Sequence, residues 1–252
     1  MAEAPLPMPL MRPLATAQFI ASLAKLETFP ASEKADRTSS ATACSVALCR
    51  DGELVAQSFQ NSGLTHSRTL LPMVHDLLKN CGESLDKVDV IAVAAGPGSF
   101  TGLRIGVATA KGLAWGEDKD CAPCSTLESM AWPLAHMEGE LIVCAMDARR
   151  DQVYNALFLA EGDKLRRLSP DRAISLEELG EELKNYNNSK IVVGDGAKLC
   201  YNILTEAGLT LKLAPRYLRM QCAWGVARAA EELAAQGALV KGRELEPVYH
   251  RL

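Results

Sequence analysis

The sequence has no apolar run long enough to cross a bilayer, which takes about 20 consecutive apolar residues. No membrane-spanning helix is expected. It also has no excess of positive charge. Lysine and arginine number 27 against 31 aspartates and glutamates, for a formal net charge of −4. A broad nucleic-acid-binding face is therefore not implied, although a local basic patch is compatible with that balance. The start lacks a charged region followed by an apolar stretch and a cleavage site, so no secretory leader is expected. Histidine is scarce, and His66, His75, His136 and His250 form no triad-like arrangement with a serine or cysteine. What remains is an ordinary globular balance, with 48% hydrophobic and 23% charged residues. The 252 residues suffice for one large domain or two small ones.

Eight cysteines are present. Most lie inside apolar runs such as ACSVALC and LIVCAM, where a free thiol acts as a small buried hydrophobe. This usage fits a reducing cytoplasm rather than a disulfide framework. Cys121-Ala-Pro-Cys124 is a lone C-x-x-C with no second pair at zinc spacing, and a structural reading is preferred for it.

Residues 1–13 are proline-rich and read as disordered. Residues 14–29 read as a short helix, and 30–40 as loop. Clear periodicity begins near Ala43. CSVALCR and ELVAQSF alternate like strands around Asp51-Gly52, a strong hairpin signal. A helix with an apolar stripe of Leu70, Val74, Leu77 and Cys81 follows, ending at Gly82. DVIAVAA then reads as a strand buried on both faces. A glycine loop and a long helix to Trp115 come next. The second half repeats this order: a buried strand (ELIVCAMD), a hairpin, a helix capped by Ser175 and Glu178, a strand, a glycine loop and a helix. This duplication predicts two mixed α/β lobes: 38–125 and 126–252, after an atypical extension, 1–37. One strand has no counterpart. The place matching Glu140–Asp147 holds ASEKADRTSS, whose Lys34, Asp36 and Arg37 do not belong in a core. The first strand of lobe 1 is thus expected to be missing or altered. The alternative is that residues 1–37 are not the natural beginning of the protein.

The glycine loop is the most informative stretch: AAGPGSFTGLRIG, residues 94–106. Gly96, Gly98 and Gly102 relax the backbone, while Pro97 stiffens it. The N–H groups at the helix start could hold an anion, helped by Ser99, Thr101 and Arg104. Yet no Lys-Ser/Thr follows the glycines, and the spacing differs from G-x-G-x-x-G. The other reading is a turn that feeds a tightly packed helix. Gly102, Gly106 and Ala110 recur every four residues and make a flat small face. Leu103, Val107 and Ala114 lie beside it. A helix that apolar on most sides is buried on most sides.

TSSATACSVAL, HSRTLLPMV, the glycine-loop string, STLESMA, DARRDQVY, VVGDGA and EPVYHRL occur in this order. Together they closely resemble the TsaB (YeaZ) family over about residues 38–252. The resemblance implies an actin-like, Hsp70-like ATPase (ASKHA) fold of two ribonuclease-H-like lobes, with mixed sheets flanked by helices. It implies a non-catalytic subunit that enables a TsaD-like enzyme to install threonylcarbamoyl on adenosine in tRNA. A TsaE-like ATPase, or a second copy of the chain, would be a further partner. The chain would meet tRNA only through the complex. It would carry no cofactor of its own, with ATP or ADP at the subunit interface. By the same resemblance, the two first-lobe helices pack on matching helices of the partner. His66, Leu70, Val74, Phe100, Gly102 and Gly106 are the residues expected there. Their structural alternative is intramolecular core.

The rival is an independent ASKHA-type ATPase or a metallopeptidase-like enzyme. TsaD-like proteins carry a His-x-x-x-His pair after the glycine-loop helix, but here Thr126 and Met130 hold those places. Neither is a credible ligand. His136 and Glu140 could ligate a metal only from a helix, which Gly139 opposes. Asp147 ends a buried strand where an actin-like site would place a carboxylate. With Arg149 and Arg150 it is read as a capped turn. Asp195 is read as a turn residue, and Asp36 lacks a strand to aim it.

Overall fold

The computed structural model describes residues 18–26, 42–60, 66–149 and 152–250. Its strands form two sheets. The first contains β1 (Gln18–Leu26), β2 (Thr42–Arg50), β3 (Glu53–Gln60), β4 (Val90–Gly96) and β5 (Asp120–Ser125) in the order 3-2-1-4-5, with a short β12 (Val240–Lys241) beyond β5. The second contains β6 (Leu141–Asp147), β7 (Gln152–Ala160), β8 (Leu165–Arg167), β10 (Lys190–Val193) and β11 (Lys212–Leu213) in the equivalent order 8-7-6-10-11. β9 (Arg172–Ser175) also pairs with β7. In each sheet the first three strands are antiparallel neighbours. The fourth runs parallel to the first, and the fifth parallel to the fourth. The duplication read from the sequence is thus present strand for strand, as expected of two ribonuclease-H-like lobes.

This topology corrects the first lobe. Its central strand is not missing: β1 fills the place, antiparallel to β2 and parallel to β4. The strand occupies part of the stretch assigned to a helix. Short apolar runs do not separate helix from strand by periodicity alone. The gap between β2 and β4, whose backbone groups need partners, decides in favour of a strand. Lys34, Asp36 and Arg37 lie outside the described residues.

The helices complete five layers. α1 (His66–Cys81) and α2 (Phe100–Gly116) cover one face of the first sheet. They bury Leu70, Met73, Val74, Leu77, Val107, Ala110 and Ala114 against Val46, Leu48, Ile91 and Val93. α4 (Leu176–Leu183) and α5 (Ala197–Glu206) cover the outer face of the second sheet. Between the sheets lie α3 (Thr126–Ala131) and α6 (Ala223–Ala235). α6 belongs late in the chain yet packs across β1, β2 and β5. With β12 it returns the C-terminal part to the first sheet, so the layering cuts across a division of the chain near residue 125.

Local chemistry explains the connections. Asp51 and Gly52 both have positive φ, 52° and 83°, as the two-residue hairpin requires. Gly82 closes α1 at φ 67°. Ser175 and Glu178 form the reciprocal capping box of α4.

Strand geometry also settles the C-x-x-C. Residues three apart on a strand face opposite sides. Cys121 accordingly joins the core under α1 and α2, and Cys124 the core under α6. The two thiols cannot meet. Burial raises the Cys49 thiol to about 12 and Cys121 to about 11, and lifts Cys124 and Cys144 well above the ordinary value of 9.0. A thiol reagent at neutral pH should therefore react first with half-exposed Cys81, and with the buried thiols only on unfolding. The same shifts make stability pH-dependent. Above pH 9 the unfolded thiols ionise while the buried ones keep their protons. Stability is thus fully present below that pH and falls as it rises toward 11 or 12. Urea midpoints at pH 7.5 and 10 test this, with the lower value expected at pH 10.

Candidate partner surface and glycine loop

α1 and α2 each have an inner and an outer side. On α1 the inner side holds Leu70, which is 1% exposed, and Val74. Full burial of such side chains contributes about 1.5–3 kcal/mol each. On α2, Gly102 and Gly106 are buried. A Cβ on Gly106 would touch Val93 of β4 in ordinary contact. The small-residue stripe is therefore turned onto the chain's own sheet. Leu70, Val74, Gly102 and Gly106 are buried within the chain, the environment of the structural alternative for those four. Small residues every four positions mark close approach, but not which neighbour approaches.

The outer side carries different residues. Leu71 is 52% exposed, Phe100 54% and Trp115 81%, with Ala108 exposed between them. Of the expected surface residues, only Phe100 has a described side chain pointing outward. His66 begins α1; its side chain lies outside the description. The sequence did contain the signal for Leu71, since it falls out of phase with the buried pair at positions 70 and 74.

The glycine loop joins β4 to α2. Gly96 has φ 144°, a conformation that favours glycine. Pro97 is buried, and Gly98 packs beside Leu103. Ser99 caps α2 and accepts from the Gly102 N–H at 3.3 Å, so one helix-start donor is already satisfied. Thr101 is exposed. The Arg104 Nε donates to the Tyr249 hydroxyl at 3.2 Å. Its guanidinium carbon lies 3.9 Å from the centre of the Phe100 ring. The Phe100 and Tyr249 rings are 5.4 Å apart.

The C-terminal segment lies directly on this loop. The Val248 N–H donates to the Ala95 carbonyl at 2.7 Å. The Val248 carbonyl sits so close to Gly96 that any Cβ there would overlap it. The crevice left among Pro97, Gly98, Tyr154, Val248, Tyr249 and His250 holds about 20 Å³, room for roughly one water.

Other candidates resolve simply. Thr126 and Met130 are buried in α3, and Met130 belongs to the core over the second sheet. His136 is exposed in a turn, and Glu140 pairs with Lys212 at 2.5 Å, so the helical spacing needed for shared ligation is absent. Asp147 accepts the Arg149 N–H at 2.7 Å, a capped turn with Arg149 at φ 62°. Arg150 lies outside the described residues, as does Asp36. Asp195 stands in the turn between Gly194 and Gly196, both tight against the end of β6. Among the described residues no three histidines, cysteines or carboxylates gather as a metal site, and no helix is long and apolar enough to cross a membrane.

Comparison with known proteins follows the same lines. Residues 23–243 match the family described as TsaD: tRNA N6-adenosine threonylcarbamoyltransferase. The tRNA threonylcarbamoyladenosine biosynthesis protein TsaB of Haemophilus influenzae is 33% identical over 221 residues, covering 84% of this chain and 90% of that protein. The Escherichia coli protein of that name is 33% identical over 211 residues, covering 83% and 90%. The solved structure of YeaZ from Pseudomonas aeruginosa superposes with a TM-score of 0.73 at 26% identity, over 92% of this chain and 99% of that one. The α/β fold, the duplicated sheets and these likenesses agree: the chain belongs to the TsaB (YeaZ) family.

Proposed function

We propose that the chain serves tRNA threonylcarbamoyladenosine biosynthesis as a non-catalytic subunit. It binds and activates a TsaD-like catalytic subunit through the outward side of α1 and α2. The observation that carries this reading is the division of labour on α2. Its inner side is committed to the first sheet, while Phe100, Ala108 and Trp115 stay exposed, as does Leu71 of α1. Exposed aromatic anchors on a rigid, buried-backed helix suit a partner interface. A second copy of the chain competes for the same side. A TsaE-like ATPase joins the complex, and tRNA meets this chain only through it. The chain supplies no cofactor of its own, and ATP or ADP binds at the subunit interface rather than in the glycine loop. Its location is the cytoplasm, in keeping with eight free thiols.

Little favours independent chemistry. Thr126 and Met130 offer no metal-binding pair, and Asp147 is spent on a turn. Reconstitution tests the reading. Transfer to tRNA by the TsaD-like and TsaE-like proteins should require this chain, and the chain alone should transfer nothing. An Asp147→Asn chain should support transfer at the parent rate. Its failure, in a folded protein, would place Asp147 in the chemistry and overturn the non-catalytic reading.

A further inference from the structure

We propose that the segment 246–250 is a strap that occupies the glycine loop in place of an anion. The strap also fixes Phe100 and Arg104 on the side that α2 presents to a partner. Only this second part rests on the partner reading above.

Three observations combine. The strap is anchored by backbone, through the Val248 N–H to Ala95. Its next carbonyl fills the space a Cβ on Gly96 would need, so the absence of a side chain there is matched to the strap. Tyr249 then completes a layered stack. Its ring lies against Phe100, its hydroxyl accepts from Arg104, and Arg104 covers Phe100. The guanidinium that would have met a phosphate is held by a phenol instead. Tyr154 of β7 lines the remaining crevice, so the strap lies where the two lobes meet. The loop has the look of an anion site because it must admit a main chain closely, which needs the same glycines.

Hydrogen exchange on the full chain tests this without any partner. Val248→Pro removes the anchoring N–H, and Tyr249→Ala removes the stack. Each should speed exchange of amides 98–104 by about ten-fold or more, through local opening. Amides 141–147 of β6 should keep their rates, which shows that the fold survives. Tyr249→Phe keeps the ring and should stay near the parent. Equal exchange at 98–104 in the parent and Val248→Pro chains would overturn the strap. Mg–ADP added at millimolar concentration should leave these amides unchanged in the parent. Protection there would overturn the exclusion of phosphate. Tyr249→Ala should also weaken binding of the TsaD-like protein several-fold. Unchanged binding alongside faster exchange would overturn only the link to the partner surface.

Discussion

Replacing Leu70 by glutamate should unfold the first lobe, whereas replacing its neighbour Leu71 by glutamate should leave the fold intact and detach the partner. The two residues are adjacent in sequence and opposite in environment. Leu70 is 1% exposed and packs with Val46, Leu48 and Ile91. A carboxylate there loses its hydration without gaining a partner, and the leucine's own burial is lost as well. The expected cost exceeds about 4 kcal/mol, a large part of the roughly 5–15 kcal/mol that holds a typical domain together. Leu71 is 52% exposed, so the same change there should move stability by no more than about 0.5 kcal/mol. Its effect should fall on association, because a charge placed inside an apolar contact is left unpaired. Urea unfolding separates the first effect, and light scattering with the TsaD-like protein the second. A well-folded Leu70→Glu chain would contradict the assignment of α1's inner side.

Gly225→Ala should be the most damaging single methyl addition near the middle of the molecule. α6 and α3 lie between the two sheets, and Gly225 is where their backbones come closest. A Cβ on it would overlap the Ser129 carbonyl oxygen and lie 3.0 Å from the carbonyl carbon. That obstacle is main chain and cannot rotate away. Either the helices separate or the sheets they support shift. Overpacking of this kind costs about 3 kcal/mol, which lowers the thermal midpoint by about 6–12 °C in a chain of this size. Gly112→Ala is the matched control. It lies within α2 with nothing inside 4 Å of a Cβ, and should gain up to about 1 kcal/mol from helix propensity. Calorimetry on the pair reads both signs. A silent Gly225→Ala would mean that α3 and α6 do not cross as closely as described.

Much of the architecture was legible in the sequence. The hairpins were marked by turn residues that require positive φ, and α4 by its capping box. The buried strands β4 and β6 were continuous apolar runs, so the duplicated order of elements could be read directly. β1 was not legible as a strand. Its run of small and apolar residues suits either a helix or a strand, and only the vacancy between β2 and β4 decides. β9 was missed because four residues carry too little alternation to stand out. The outer surface was half legible. Periodicity located the helices that matter, but a small-residue stripe marks a close contact without naming the neighbour, and here the neighbour is the chain's own sheet. The strap could not be read at all, since it joins residues 95–104 to 248–249 across most of the chain. Close inspection of Gly96 offers one signal: a backbone so bare needs something pressed against it.

The most direct test of the account is light scattering on a size-exclusion column, with this chain and the TsaD-like protein of the same genome, at low and high salt. A one-to-one complex that survives high salt is expected, because the proposed anchors, Leu71, Phe100 and Trp115, are apolar and screening does little to such contacts. The Leu71→Glu chain should elute alone. Two separate peaks for the parent chain at both salt concentrations, with its fold intact, would contradict the subunit reading.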